Sequence, residues 1–250
     1  MRRSCGACAR SEMRPGGTHP AKNCLLLALA SVVLLSGCAS LTGLGSARTL
    51  DNGEEELGVG LDASVVAPKL SPASAPWIPY VQLSTRYRRG VGPVELGTRF
   101  WGLGFPGLFG LGMSGEVRVP LLESPNIEQG VDITLGTSLG YHQFNFGRVP
   151  NHAPFIDVPV MFGFNMIGGH QFVVSARVRD EVLLGPGVTP VNILYGGGTV
   201  GAHIIVNDKW AFQPELAVLY SPVSFNGLVR DPERTGLTMV QFGIGGAFDL

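Results

Sequence analysis

Histidine and cysteine, residues that commonly serve as acid–base groups, nucleophiles or metal ligands, are few in this 250-residue chain. Its histidines are His19, His142, His152, His170 and His203. A hydrolytic site needs a nucleophile or a water-activating acid with a histidine in reach. Ser138, His142 and Asp157 can be grouped in that way, with His152 on the far side of an intervening loop 143–154. A hydrolase with its site at a rim is the function such a grouping would serve. No HExxH, GxSxG or paired-aspartate signature accompanies it. Cys5 and Cys8 have the CxxC spacing of redox or zinc chemistry, but the second ligand pair that zinc needs is missing. Gly102 to Gly107 has the glycines of a phosphate loop without the following lysine or helix pattern. The expectation is a protein without catalytic residues, metal or cofactor.

The remaining charges are sparse. Only 15% of residues are charged, against about 25% in an average soluble domain. Hydrophobic residues make up 45% and glycine 36 positions. So much apolar content excludes a disordered chain, and the absence of a three-residue glycine period excludes collagen. A net charge of −1 offers no field for collecting phosphates, so nucleic acid is not an expected partner.

The N-terminal residues carry Arg2, Arg3, Arg10, Arg14 and Lys22, followed by the apolar run Cys24 to Leu35. That run has the length of a signal-peptide core and is too short to span a bilayer as a helix. It ends in Leu35-Ser36-Gly37-Cys38, which resembles the lipobox of bacterial lipoproteins. The resemblance implies cleavage between Gly37 and Cys38, acylation of the Cys38 thiol and passage through the lipoprotein-processing machinery. Ala39 and Ser40, in place of an aspartate, imply delivery to the outer membrane of a Gram-negative bacterium. Either Met1 or Met13 can serve as the start. The implied division is a signal peptide at 1–37, an acylated tether at 38–55 and a β domain at 56–250.

From Glu56 onward the pattern has period two, the mark of strands with unlike faces. Ten runs are predicted, at about 56–66, 79–89, 91–101, 111–119, 129–142, 155–167, 170–179, 193–206, 209–220 and 236–249. One face is apolar, as in Leu57, Val59, Leu61, Ala63 and Val65, or in Val131, Ile133, Leu135, Thr137 and Leu139. The other carries Asp62, Arg86, Arg88, Glu95, Arg99, Glu116, Arg118, Asp132, Asp157, Arg177, Arg179 and Glu215. Pro159 and Pro214 fall inside runs, so each is expected at a bulge or near a rim.

Two architectures share this alternation. A soluble barrel or sandwich turns the apolar face inward and could carry an apolar ligand in the periplasm. A transmembrane barrel turns it to lipid, where one charge at the midplane costs about 2–4 kcal/mol. The apolar stripe, free of charge apart from Arg89 at a strand end, and the balance of six arginines against six acids on the other face favour the second. Trp77, Tyr80, Tyr87, Trp101, Tyr141, Phe155, Trp210 and Tyr220 are read as interfacial girdles. Long and short connections are expected to alternate, with 102–110 as a loop that dips into lipid or meets a partner.

The last residues, Val240 to Leu250, resemble the C-terminal strand signal of bacterial outer-membrane barrels, with Phe248 two residues short of the end. That resemblance implies an antiparallel up-and-down barrel of about ten strands, inserted by the barrel-assembly machinery and surrounded by outer-membrane lipid. The implied role is structural, adhesive or partner-binding, with a mostly plugged polar lumen. Within the lumen, Arg86, Arg99, Arg118 and Arg177 are expected to pair with Glu95, Glu116, Asp132 and Asp157.

Overall fold

The structure, a computed structural model, describes residue 43 and residues 45–68, 78–105, 108–146, 149–186, 190–226, 229–230 and 236–250. The lipobox, the signal peptide and Trp77 lie outside the described residues. The strands are β1 (Glu55–Pro68), β2 (Ile78–Val91), β3 (Val94–Phe105), β4 (Leu108–Leu122), β5 (Gly130–Phe146) and β6 (Val149–Asn165). They continue with β7 (Gln171–Leu183), β8 (Val191–Asn207), β9 (Trp210–Asn226), the two-residue β10 (Val229–Arg230) and β11 (Leu237–Asp249).

Each long strand pairs antiparallel with its neighbours, and β1 closes the ring by pairing with both β2 and β11. The fold is therefore a closed, all-β, up-and-down barrel of ten strands, with β10 a short extension on β9. The beginning of β1 and the end of β11 lie at one mouth, here the proximal one, where Leu250 N–H donates to Glu55 O. Tight turns at this mouth use glycines with positive φ, Gly92 at 60° and Gly168 at 82°, a region closed to most side chains.

The register fixes the barrel's stagger. From Asp62, paired residues run one way through Gly243, Glu215, Gly201, Val173 and Gly163 to Asp132. The other way they run through Gln82, Leu103 and Gly110 to Phe144. The two paths meet on β5 twelve residues apart, at Asp132 and Phe144. With ordinary strand spacing and rise, ten strands with that stagger tilt by about 40° and enclose a backbone radius of about 10 Å. Side chains nearly fill so narrow a tube.

The faces are inverted relative to a soluble protein. Val81 and Phe100 are each 51% exposed, whereas Asp62, Arg88 and Arg179 have no exposed surface. Leu61, Met113, Val218 and Phe242 join the outer apolar band. Lipid is the medium that suits such a band, so this is a transmembrane barrel, and the soluble alternative with a greasy core fails.

Three details differ from the sequence reading. Strands extend further, so 102–110 is mostly β3 and β4 rather than a loop, and β5 and β6 continue through most of 143–154. Inter-strand hydrogen bonds carry these hairpins on beyond the apolar stretch. Tyr80, Trp101 and Phe155, read as girdle residues, are buried on the inner face by the parity of their strands. Pro159 and Pro214 leave the β5–β6 and β8–β9 ladders unpaired locally, but the register on either side is unchanged, so neither sits at a bulge.

Leu135 and Val160 face each other across β5 and β6 on the outer side. Leu135→Arg or Val160→Arg should block assembly, at a cost of about 2–4 kcal/mol, while Leu135→Ala should still assemble. Heat-modifiable gel mobility after insertion into vesicles reads the difference. Unimpaired assembly of both arginine variants would mean that this face does not meet lipid.

Candidate functional site

The lumen concentrates the chain's charge. Residues two apart on a strand share a face, so Arg86 and Arg88 on β2, Glu95 and Arg99 on β3, and Glu116 and Arg118 on β4 all point inward. Glu56 stands opposite Arg88, and Glu95 opposite Arg118. Arg88 joins them, with Nη2 2.7 Å from Glu56 and Nη1 3.0 Å from Glu95. Arg86 reaches the same Glu56 at 2.9 Å, and Arg118 reaches Glu95 at 3.6 Å and Glu116 at 4.0 Å. Register puts Arg86 directly opposite Arg99, a like-charge pair that would repel. Glu56 takes up the Arg86 charge, while Glu116, Asp62 and Glu215 surround Arg99 electrostatically.

Further along the barrel Arg177 pairs with Asp157. Arg179, although it faces Asp157 in register, turns to Glu181 at 2.9 Å and lies 3.8 Å over the Phe155 ring. Glu181 also meets His142 Nε2 at 3.5 Å. Asp132 is not paired with arginine. It accepts from the Ser124 N–H at 2.7 Å, Gln171 Nε2 at 2.9 Å and Asn165 Nδ2 at 3.1 Å. Buried ions are tolerated when hydrogen-bonded in this way.

Of the four arginines and four acids expected to pair, Arg118 with Glu95 and Glu116, and Arg177 with Asp157, do so. Arg86 instead takes Glu56, which the sequence reading left at the edge of the tether. Glu181 lies beyond the predicted run 170–179, and β7 in fact continues to Leu183. The signal available was parity: Glu181 lies two residues beyond Arg179 on the same face. Ser138, His142 and Asp157 do not assemble as a hydrolytic triad. Ser138 and His142 stand about 13 Å apart along β5 at ordinary strand rise, while Arg177 holds Asp157 and Glu181 holds His142. His152 bonds the Tyr141 hydroxyl instead.

Part of the segment read as a tether, residues 43 and 45–50, runs inside the barrel. Gly43 N–H donates to Glu215 Oε1 at 2.6 Å, and Arg86 donates to Gly43 O. Ala47, 1% exposed, donates its N–H to Gln171 Oε1 at 2.6 Å and accepts from the Thr134 hydroxyl. Arg118 donates to Ser46 O at 3.3 Å, and Leu50 N–H donates to Glu95 Oε2 at 3.1 Å. Ala47 packs on Met161 and Val173. The central cavity beside Gly43 and Gly45 is about 40 Å³, whereas that at the proximal mouth, lined by Asp51, Glu54, His203 and Asp249, is about 700 Å³.

No protein-family model matches the chain, and no curated protein matches it in sequence. Among solved structures it is similar to the Neisserial surface protein A, at 8% identity and TM-score 0.39 over 78% of this chain and 97% of that one. It is also similar to the outer membrane protease OmpT from Escherichia coli, at 9% identity and TM-score 0.44 over 82% and 100%. An outer membrane channel from Pseudomonas putida F1 gives 10% identity and TM-score 0.43 over 84% and 100%. At such scores the barrel is defined by its own register and face chemistry rather than by these neighbours.

Arg177 and Asp157 form a compact buried pair. Asp157→Ala should destabilise the barrel by about 3–5 kcal/mol by leaving a buried guanidinium uncompensated. The Asp157→Leu/Arg177→Met double variant should cost much less, because neither charge remains. Urea unfolding in lipid vesicles gives both values. A double variant as unstable as the single one would contradict the pairing.

Proposed function

We propose that this protein is a lipid-anchored barrel of the Gram-negative outer membrane, with a structural, adhesive or partner-binding role exercised at the distal mouth. The observation that carries the reading is the inversion of faces, an exposed apolar band around a lumen of buried arginines and carboxylates. A central cavity of about 40 Å³ has room for a water or two, which favours a plugged lumen over a conducting one. The lipobox resemblance at Leu35 to Cys38 supports the anchor. Four residues lie between Cys38 and Gly43, and the five Cα–Cα steps that join the two reach about 17 Å when fully extended, enough for an anchor outside the lumen. The proximal mouth, where β1 begins and β11 ends, then faces the periplasm.

Cys38→Ser should abolish acylation and leave the precursor uncleaved at Gly37. Mass spectrometry of the mature N-terminus reads the anchor, and carbonate-washed outer-membrane fractions read the barrel. An unlipidated N-terminus elsewhere in the wild type would remove the anchor from this reading and leave the barrel intact. Release of the wild type by carbonate would remove the membrane assignment itself.

A further inference from the structure

The contacts to residues 43 and 45–50 have an unusual chemistry. Six lumen side chains, Arg86, Glu95, Arg118, Thr134, Gln171 and Glu215, come from six different strands. All six bond to backbone N–H or C=O groups of the segment. Such a grip reads main-chain groups, and segment side chains add bonds to the barrel at Arg48, which donates to Ser124 O at 3.3 Å, and at Thr49, which donates to Glu123 Oε1 at 2.5 Å. The described residues before them, Gly43, Gly45, Ser46 and Ala47, are small. A Cβ on Gly45 would lie 2.7 Å from Arg86 Nη1, and Ala47 is closed in by Met161 and Val173.

The gripping groups also belong to the lumen's own charge system. Glu95 holds Arg88 and Arg118 and still accepts from Leu50 N–H. Gln171 donates its amide N–H to Asp132, and its carbonyl accepts from the Ala47 N–H. Withdrawing the segment therefore takes a partner from Gln171, Thr134 and Glu215 together, in a space that another main chain refills with the same bonds.

We propose that the lumen is a binding site for the main chain of a polypeptide with small side chains at its centre, filled in cis by residues 43 and 45–50. When that segment is withdrawn, the site takes a second chain of the same kind in trans. The large mouth cavity gives such a chain its entry from the proximal side. The inference needs the closed barrel alone and goes beyond the lipid anchor, so the full mature chain carrying Cys38→Ser serves for its test.

Gly45→Trp/Ala47→Trp should expel the segment without changing any barrel residue. The probe is a fluorescent peptide, Gly-Leu-Gly-Ser-Ala-Arg-Thr-Leu, the sequence of 43–50. It should bind the double variant saturably, and at least tenfold more weakly to the wild type, where the site is occupied. Gln171→Ala added to the double variant should reduce binding, and a peptide carrying the two tryptophans should not bind. Heat-modifiable mobility reports separately that the barrel has folded. No saturable binding to a folded double variant overturns the proposal. Should that variant not fold, Ala47→Cys in the otherwise native segment decides, since Ala47 is buried: protection from a maleimide until the barrel is unfolded supports the cis-occupied site, and immediate labelling of the folded barrel overturns it.

Discussion

Closure of β1 onto β11 is the constraint from which the rest of this structure follows. Hydrocarbon supplies no partner for a backbone N–H or C=O, so a strand can cross it only if both of its edges are paired. The β1–β11 ladder, running from Glu56 opposite Asp249 to Pro68 opposite Leu237, removes the last free edge. Once the sheet is closed, each strand has one face in lipid and one in the tube, and no position offers both. Proline is tolerated on these terms where it interrupts a single ladder: Pro159 keeps its register with β7 and Pro214 with β11.

Closure also sets the interior dimension. Ten strands staggered by twelve residues leave a tube too narrow for arginines to remain apart. The charges therefore form a connected system instead of separate pairs. Arg88 bridges Glu56 and Glu95, Arg118 extends that chain towards Glu116, and Arg179 and His142 share Glu181. Where register sets Arg86 against Arg99, carboxylates from other strands occupy the space around them. Groups left over from this system, among them the Gln171 carbonyl and the Thr134 hydroxyl, turn to the main chain of residues 43 and 45–50. The N-terminal segment is in this sense part of the interior, completing its hydrogen bonds as a buried loop must.

How far the sequence determined this protein can be judged strand by strand. Alternation is a local property with period two, so Leu57 to Val65 and Asp62, or Val131 to Leu139 and Asp132, already separate the outer from the inner face. Glycines at the proximal turns mark hairpins in the same local way. The apolar stripe, with arginine and carboxylate on the opposite parity, points to lipid because a single lipid-facing ion is costly. Fold class, strand number and the identity of most inward charges were legible for that reason.

Only the tertiary structure decided who meets whom. Pairing of Arg86 with Glu56 and of Arg179 with Glu181, and solvation of Asp132 by amides instead of arginine, depend on stagger and radius. Both are properties of the whole ring that no window of sequence contains. Strand ends were likewise hidden: β5 and β6 pair on to Phe146 and Val149 after the alternating stripe has faded, because inter-strand hydrogen bonds need no apolar face. The path of residues 43 and 45–50 was the least legible of all. Glycine, serine and alanine read as flexible linker in isolation, and it is the lumen, assembled from strands far along the chain, that converts their small size into a fit.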